Sequence, residues 1–257
     1  MMAETSTNPI LITFPPSLDC ELARFLLKLY QVDYKEKPHT LIFCPFATLR
    51  HAGTVNLPVL YDDSFKLVGP KPMADYFDQR STPHLHLYPQ DPGERSQVES
   101  DWVLFNQTLS FATAKFAYYH LLPYRKIMVR PLSLGTPNFE AKTVEVAYGV
   151  YAGILRTLLG LTAQKAQQSM DQIRKVFDAV ESRLAIQKNF LVGNQLTLSD
   201  VAFAVAAAPM VLPLAYGGPL PSFEQMPPPM QAAIMEMRGR TAGAFALRVY
   251  DQQRSAL

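Results

Sequence analysis

Apolar residues first gather in a short block, Ile10-Leu11-Ile12-Thr13-Phe14, which Pro15-Pro16 stops. A β-prone run of that length predicts a buried strand. Leu22, Phe25, Leu26 and Leu29 then recur at i, i+3, i+4 and i+7. That spacing places one apolar face on a helix from about Leu18 to Tyr30. Ser17 stands where an N-cap is needed, and Asp19 and Glu21 occupy the first turn, where the helix dipole favours anions. Asp33 to Lys37 alternates weakly and predicts a second strand ended by Pro38. Residues 39–56 carry Pro45 and Gly53 without a clean period, so they are expected to be irregular apart from one helical turn. Leu57–Tyr61 and Ser64–Val68, joined at Asp62-Asp63, predict a β-hairpin. Gly69-Pro70 breaks it, and Met73, Tyr76 and Phe77 mark a third short helix ending near Arg80.

The pattern then changes class. Ser81 to Gly93 holds Pro83, Pro89 and Pro92 and predicts a linker. Residues 94–122 are helical, with Val98, Trp102, Phe105 and Leu109 on one stripe. Residues 123–137 are interrupted by prolines. Residues 138–160 and 163–188 each predict one helix, and Thr197-Leu198-Ser199-Asp200 has the form of a capping box before another. Two more helices are expected near 222–237 and 241–253. The division expected is a disordered N-terminus over 1–8, a mixed domain over 9–80, a linker over 81–93 and an all-α domain over 94–257.

Composition narrows the function classes. A length of 257 residues suits two small domains, and 48% hydrophobic with 18% charged residues excludes a wholly disordered chain. Twenty-four cations against 22 anions leave a net charge of +2, too little for nucleic-acid binding. Cys20 and Cys44 alone make no disulfide framework and suit a reducing compartment, so the expected location is cytoplasmic. The first residues lack the basic and apolar regions of a signal peptide. The longest nearly apolar run, Val201 to Tyr216, falls short of the roughly 20 residues of a membrane span. No metal site is expected, because His84 and His86 lie in the linker with no cysteine nearby.

Three segments carry a family resemblance. Leu57-Pro58 opens a strand, Phe14-Pro15-Pro16-Ser17-Leu18-Asp19-Cys20 forms the first strand-to-helix turn, and Phe190 to Asp200 reads Phe-Leu-Val-Gly-Asn-Gln-Leu-Thr-Leu-Ser-Asp. Together with the β-α-β-β-β-α order and the helical remainder, these resemble the glutathione transferase superfamily. Residues 210–221 resemble a bacterial-type branch of it. The resemblance implies a thioredoxin-like N-terminal domain followed by an all-helical C-terminal domain, that is, α/β plus all-α. It implies a cis bond at Leu57-Pro58, with both residues in the glutathione site, and Ser17 as the catalytic hydroxyl that stabilises a thiolate. It also implies a hydrophobic substrate site lined by Phe14, Phe111, Lys115 and Tyr118, and a homodimer. Ser17 as a plain helix cap is the competing reading, and the two are compatible. Cys44-Pro45-Phe46-Ala47 looks like a redox motif of some members but follows the second strand, and is read as coincidence.

One departure stands out. Where the family carries an acidic or amide residue followed by serine to hold the γ-glutamyl end of glutathione, this chain has Gly69-Pro70. Glycine brings no side-chain acceptor, and proline brings neither hydroxyl nor N–H. Lys71 remains as a flexible charge. The expectation is a glutathione transferase-like enzyme acting on a hydrophobic small molecule, with weak or altered glutathione use or a glutathione-independent step. The alternative is a non-catalytic ligand-binding module of the same fold.

Overall fold

Strand β1 (Ile10–Thr13) lies at the centre of a four-stranded sheet ordered β2-β1-β3-β4. It pairs in parallel with β2 (Lys35–Pro38) and antiparallel with β3 (Val59–Tyr61), which pairs with β4 (Lys66–Val68). The computed structural model describes residues 8–187 and 189–254. The N-terminal disorder expected over 1–8 therefore lies outside the described residues except at Asn8.

Helix α1 (Leu18–Leu29) crosses between β1 and β2 and buries two faces. Ala23 and Leu27 pack with Leu11, Leu60 and Met73 on the sheet side. Leu22, Phe25 and Leu26 join the large core shared with the helical domain.

The segment expected to be irregular contains α2 (Cys44–Ala52). Only Cys44 and Thr48 of this helix are buried, so no apolar stripe announces it. Its signals are at the ends instead: Pro45 in the first turn and Gly53 at φ +67° closing it. The bond Leu57-Pro58 is cis. Helix α3 (Pro70–Asp78) completes the thioredoxin-like domain.

A 3₁₀ turn, Pro83–Leu85, leads into α4 (Pro92–Trp102), which starts within the segment expected to be linker. Through a π-helical stretch, Val103–Leu109, α4 continues as α5 (Ser110–Leu121). The proline-interrupted segment holds α6 (Arg125–Ser133), which runs on past Pro131. The single helix expected over 138–160 is two: α7 (Asn138–Val146) and α8 (Tyr148–Leu159), broken at Ala147. Buried Val144, Tyr148, Tyr151 and Leu155 keep one period across that break, which is why the sequence reads as continuous. Tertiary bonds fix the bend: Tyr148 donates to Leu122 O at 2.8 Å, and Tyr151 meets both Thr40 and Thr143 through hydroxyls at 3.1 and 2.7 Å.

Helix α9 (Ala163–Gln187) packs along α5, and α10 (Leu198–Val211) is buried along its whole length, packed on α1, α4, α5 and the two closing helices. Asp200 forms the expected capping box. Its Oδ2 accepts from Thr197 N at 2.7 Å and Thr197 Oγ1 at 2.9 Å, and its Oδ1 accepts from Leu191 N at 2.7 Å. Pro209 sits inside α10 rather than ending it. Helices α11 (Pro228–Arg238) and α12 (Thr241–Val249) close the fold. Glu21 of α1 ties the two domains together, accepting from Gly217 N at 2.9 Å and Tyr250 Oη at 3.3 Å.

Candidate functional site

The first turn of α1 faces α5 across a cavity of about 260 Å³. Phe14, Ser17, Phe111 and Tyr118, four of the residues singled out from the sequence, line it together. Ser17 caps α1, its Oγ accepting from Cys20 N at a long 3.4 Å. The cap uses the hydroxyl as an acceptor, so capping does not exclude a role in the cleft. Burial, then the nearby Cys20, holds the Tyr118 hydroxyl protonated well above its ordinary range. Tyr118 therefore offers the cleft a donor rather than a phenolate.

Lys115 is not part of this cavity. It lines a separate groove with residues of α9, including Lys165 and Gln168. Phe111 is shared by both, so helix α5 turns Lys115 away within one turn of it.

Leu57, Pro58, Gly69, Pro70 and Lys71 also lie outside the cavity's lining. Gly69 N donates to Pro58 O at 2.8 Å, which fixes the start of α3 against the cis bond and uses the last N–H before Pro70. Gly69 has φ +86°, a conformation that side-chain-bearing residues adopt at a cost. Lys71 points elsewhere: its Nζ pairs with Asp75 at 2.8 Å and Glu99 at 3.2 Å, and it lies over the Tyr88 ring. Lys71 is thus committed to these two carboxylates.

A glutathione S-transferase C-terminal domain model matches residues 145–225. Solved structures repeat the whole architecture. Poplar glutathione transferase F1 covers 98% of this chain, with 96% of its own, at 12% identity and TM-score 0.62. The glutathione S-transferase from Rhodospirillum rubrum F11 covers 95% and 92% at 13% and TM-score 0.59. The fold is that of the glutathione transferases, and residues 145–225 match the C-terminal domain of that family. Beta-etherase LigF from Sphingobium sp. strain SYK-6 is also similar, covering 94% of this chain and 99% of its own at 12% identity and TM-score 0.60. No curated protein sequence matches the chain significantly.

The two cysteines are free, buried and packed. Cys44 opens α2, and its buried thiol donates to His39 O at 3.2 Å. Burial, with Cys20 and Glu140 nearby, pushes it far above the usual thiol range. Burial likewise pushes Cys20 up to about 11. Neither is a thiolate at neutral pH. His84 and His86 make only local contacts, to Thr82 and Ser81. Among the described residues no cluster of three or more His, Cys, Asp or Glu is placed to hold a metal, and no helix is long and apolar enough to cross a membrane.

Sequence reasoning missed the polar end of the cleft. Asp19, Asn106 and Ser110 line it, and Asn106 Nδ2 donates to Asp19 Oδ1 at 2.9 Å. Asp19 reads in the sequence as a dipole partner only. Asn106 sits inside the π-helical stretch, where the ordinary helical period does not say which way a side chain points.

Proposed function

We propose that this protein binds and transforms a hydrophobic small molecule in the cleft between Ser17 and helix α5, with glutathione used weakly or not at all. The observation that carries this reading is the mismatch between the two halves of the site. Aromatic and aliphatic side chains surround the Ser17 hydroxyl in a cavity of about 260 Å³. At the γ-glutamyl end stand Gly69 and Pro70, with Lys71 held by Asp75 and Glu99. Three absent hydrogen bonds to charged groups, at about 1.5–3 kcal/mol each, weaken glutathione by more than a thousandfold. If a thiol does enter, the positive end of α1 and the Ser17 hydroxyl stabilise its thiolate. A homodimer accords with the superfamily, and sedimentation measures it.

Calorimetry with glutathione, followed by a turnover assay with a chlorodinitrobenzene electrophile, tests the proposal. Binding weaker than about 1 mM, with thiol transfer slow and abolished in Ser17→Ala, is expected. Micromolar glutathione binding would overturn the reading of a stripped site. Ligand binding without turnover of any thiol or electrophile would favour a carrier of the same fold.

A further inference from the structure

The polar end of the cleft carries a charge that the reading above does not use. Asp19 lines the cavity from the first turn of α1, and Asn106 engages one of its carboxylate oxygens, Oδ1, at 2.9 Å. The other oxygen, Oδ2, has no hydrogen-bond partner among the described residues. No lysine, arginine or histidine lines the cavity. The nearest cation of α1, Arg24, is committed to Glu36 at 2.8 Å and to Glu21 at 3.4 Å. The cleft therefore presents one acid, no base and a large apolar wall.

Burial raises the Asp19 carboxyl above its ordinary range, and the bond from Asn106 opposes that. Asp19 is half-buried, and a carboxylate at the edge of an apolar cleft is stabilised by a cation that comes to share its surroundings. Ser17 and Ser110 stand in the same lining with hydroxyl oxygens that accept from an N–H. Phe14, Phe111 and Tyr118 enclose what is attached to that cation.

We propose that the small molecule recognised by this cleft is an apolar amine, its ammonium donating to Asp19 Oδ2 and its hydrocarbon body lying between Phe14, Phe111 and Tyr118. The proposal rests on the cleft being the ligand site.

Three probes of equal shape test it by calorimetry on the full chain: phenylbutylamine, phenylbutanol and phenylbutyrate. The amine is expected to bind about tenfold or more tightly than the alcohol, the scale of one hydrogen bond to a charged group, with the acid weakest. Asp19→Asn should remove the amine's advantage over the alcohol, while Phe111→Ser should weaken amine and alcohol alike. Equal binding of amine and alcohol to the unaltered protein overturns the amine assignment and leaves the hydrophobic cleft standing. Binding of none of the three overturns the cleft itself. The unaltered protein decides between these outcomes even if Asp19→Asn does not fold.

Discussion

His39 Nδ1 lies 2.7 Å from Glu140 Oε1, a contact between residues 101 positions apart. The other carboxylate oxygen of Glu140 accepts from Thr40 N at 2.8 Å. Glu140 is 1% exposed. It reaches from α7 onto the loop after β2, and thereby fastens the segment between α5 and α9 to the thioredoxin-like domain.

Glu140→Ala leaves the buried Thr40 N–H without an acceptor. The expected loss is about 1–3 kcal/mol by urea unfolding. His39→Ala should cost less, because His39 is partly exposed and Thr40 keeps its acceptor. A double variant whose loss equals the sum of the single losses would show the pair to be uncoupled.

Asp200→Ala strands three donors at the start of α10 and should cost a similar amount. Burial pushes the Asp200 carboxyl up to about 6, against the bonds from Leu191 and Thr197. The folded protein thus holds this proton more tightly than the unfolded chain does. The resulting stability is fully present below the unfolded value near 3.8 and is lost as pH rises through about 6. The stability advantage of the unaltered protein over Asp200→Asn should shrink by a few kcal/mol across that window. A difference independent of pH counts against it.

Pro70→Ser restores one N–H and one hydroxyl at the start of α3 and should tighten glutathione about tenfold. Adding Gly69→Glu should help less than its charge suggests, since φ +86° taxes any side chain there. Calorimetry on the single and double variants separates the two effects. No gain from Pro70→Ser would place the defect elsewhere.

Neither cysteine should react with a maleimide in the folded protein at neutral pH, because burial holds both as thiols. Both should react after denaturation. Rapid labelling of the native chain at Cys44 would revive the redox reading of Cys44-Pro45-Phe46-Ala47.

Much of the fold was written in apolar spacing. Helix α1, with both faces buried, and α9, with Ile173, Val176, Phe177, Val180 and Leu184 on one stripe, declare themselves. Helix α2 does not, because its single turn of burial leaves nothing periodic. The α7–α8 break does not, because it is made by Tyr148, Tyr151 and Glu140 reaching distant partners. The site divides in the same way. Ser17, Phe14 and Tyr118 follow from their places at the cap of α1, just after β1 and on α5, whereas Asp19 acquires its meaning only from Asn106, 87 residues away. Lys115 lies outside this cavity although Phe111 lines it, because a one-turn spacing says two residues are near, not that they face the same opening.

The π-helical stretch gives the cleft a peculiar arithmetic. Val103–Leu109 accommodates about one residue more than α-helical turns would take. Each residue of an α-helix turns the chain by about 100°. Cutting one residue from this stretch would let it relax to an unbroken α-helix and rotate everything beyond it by that angle relative to Trp102. Phe111, Ala114 and Tyr118 would leave the opening together, and neighbours now turned elsewhere would take their places. The α5 wall of the cavity is thus indexed by a single surplus residue, so lineages that gain or lose it would exchange one complete set of lining residues for another in one step.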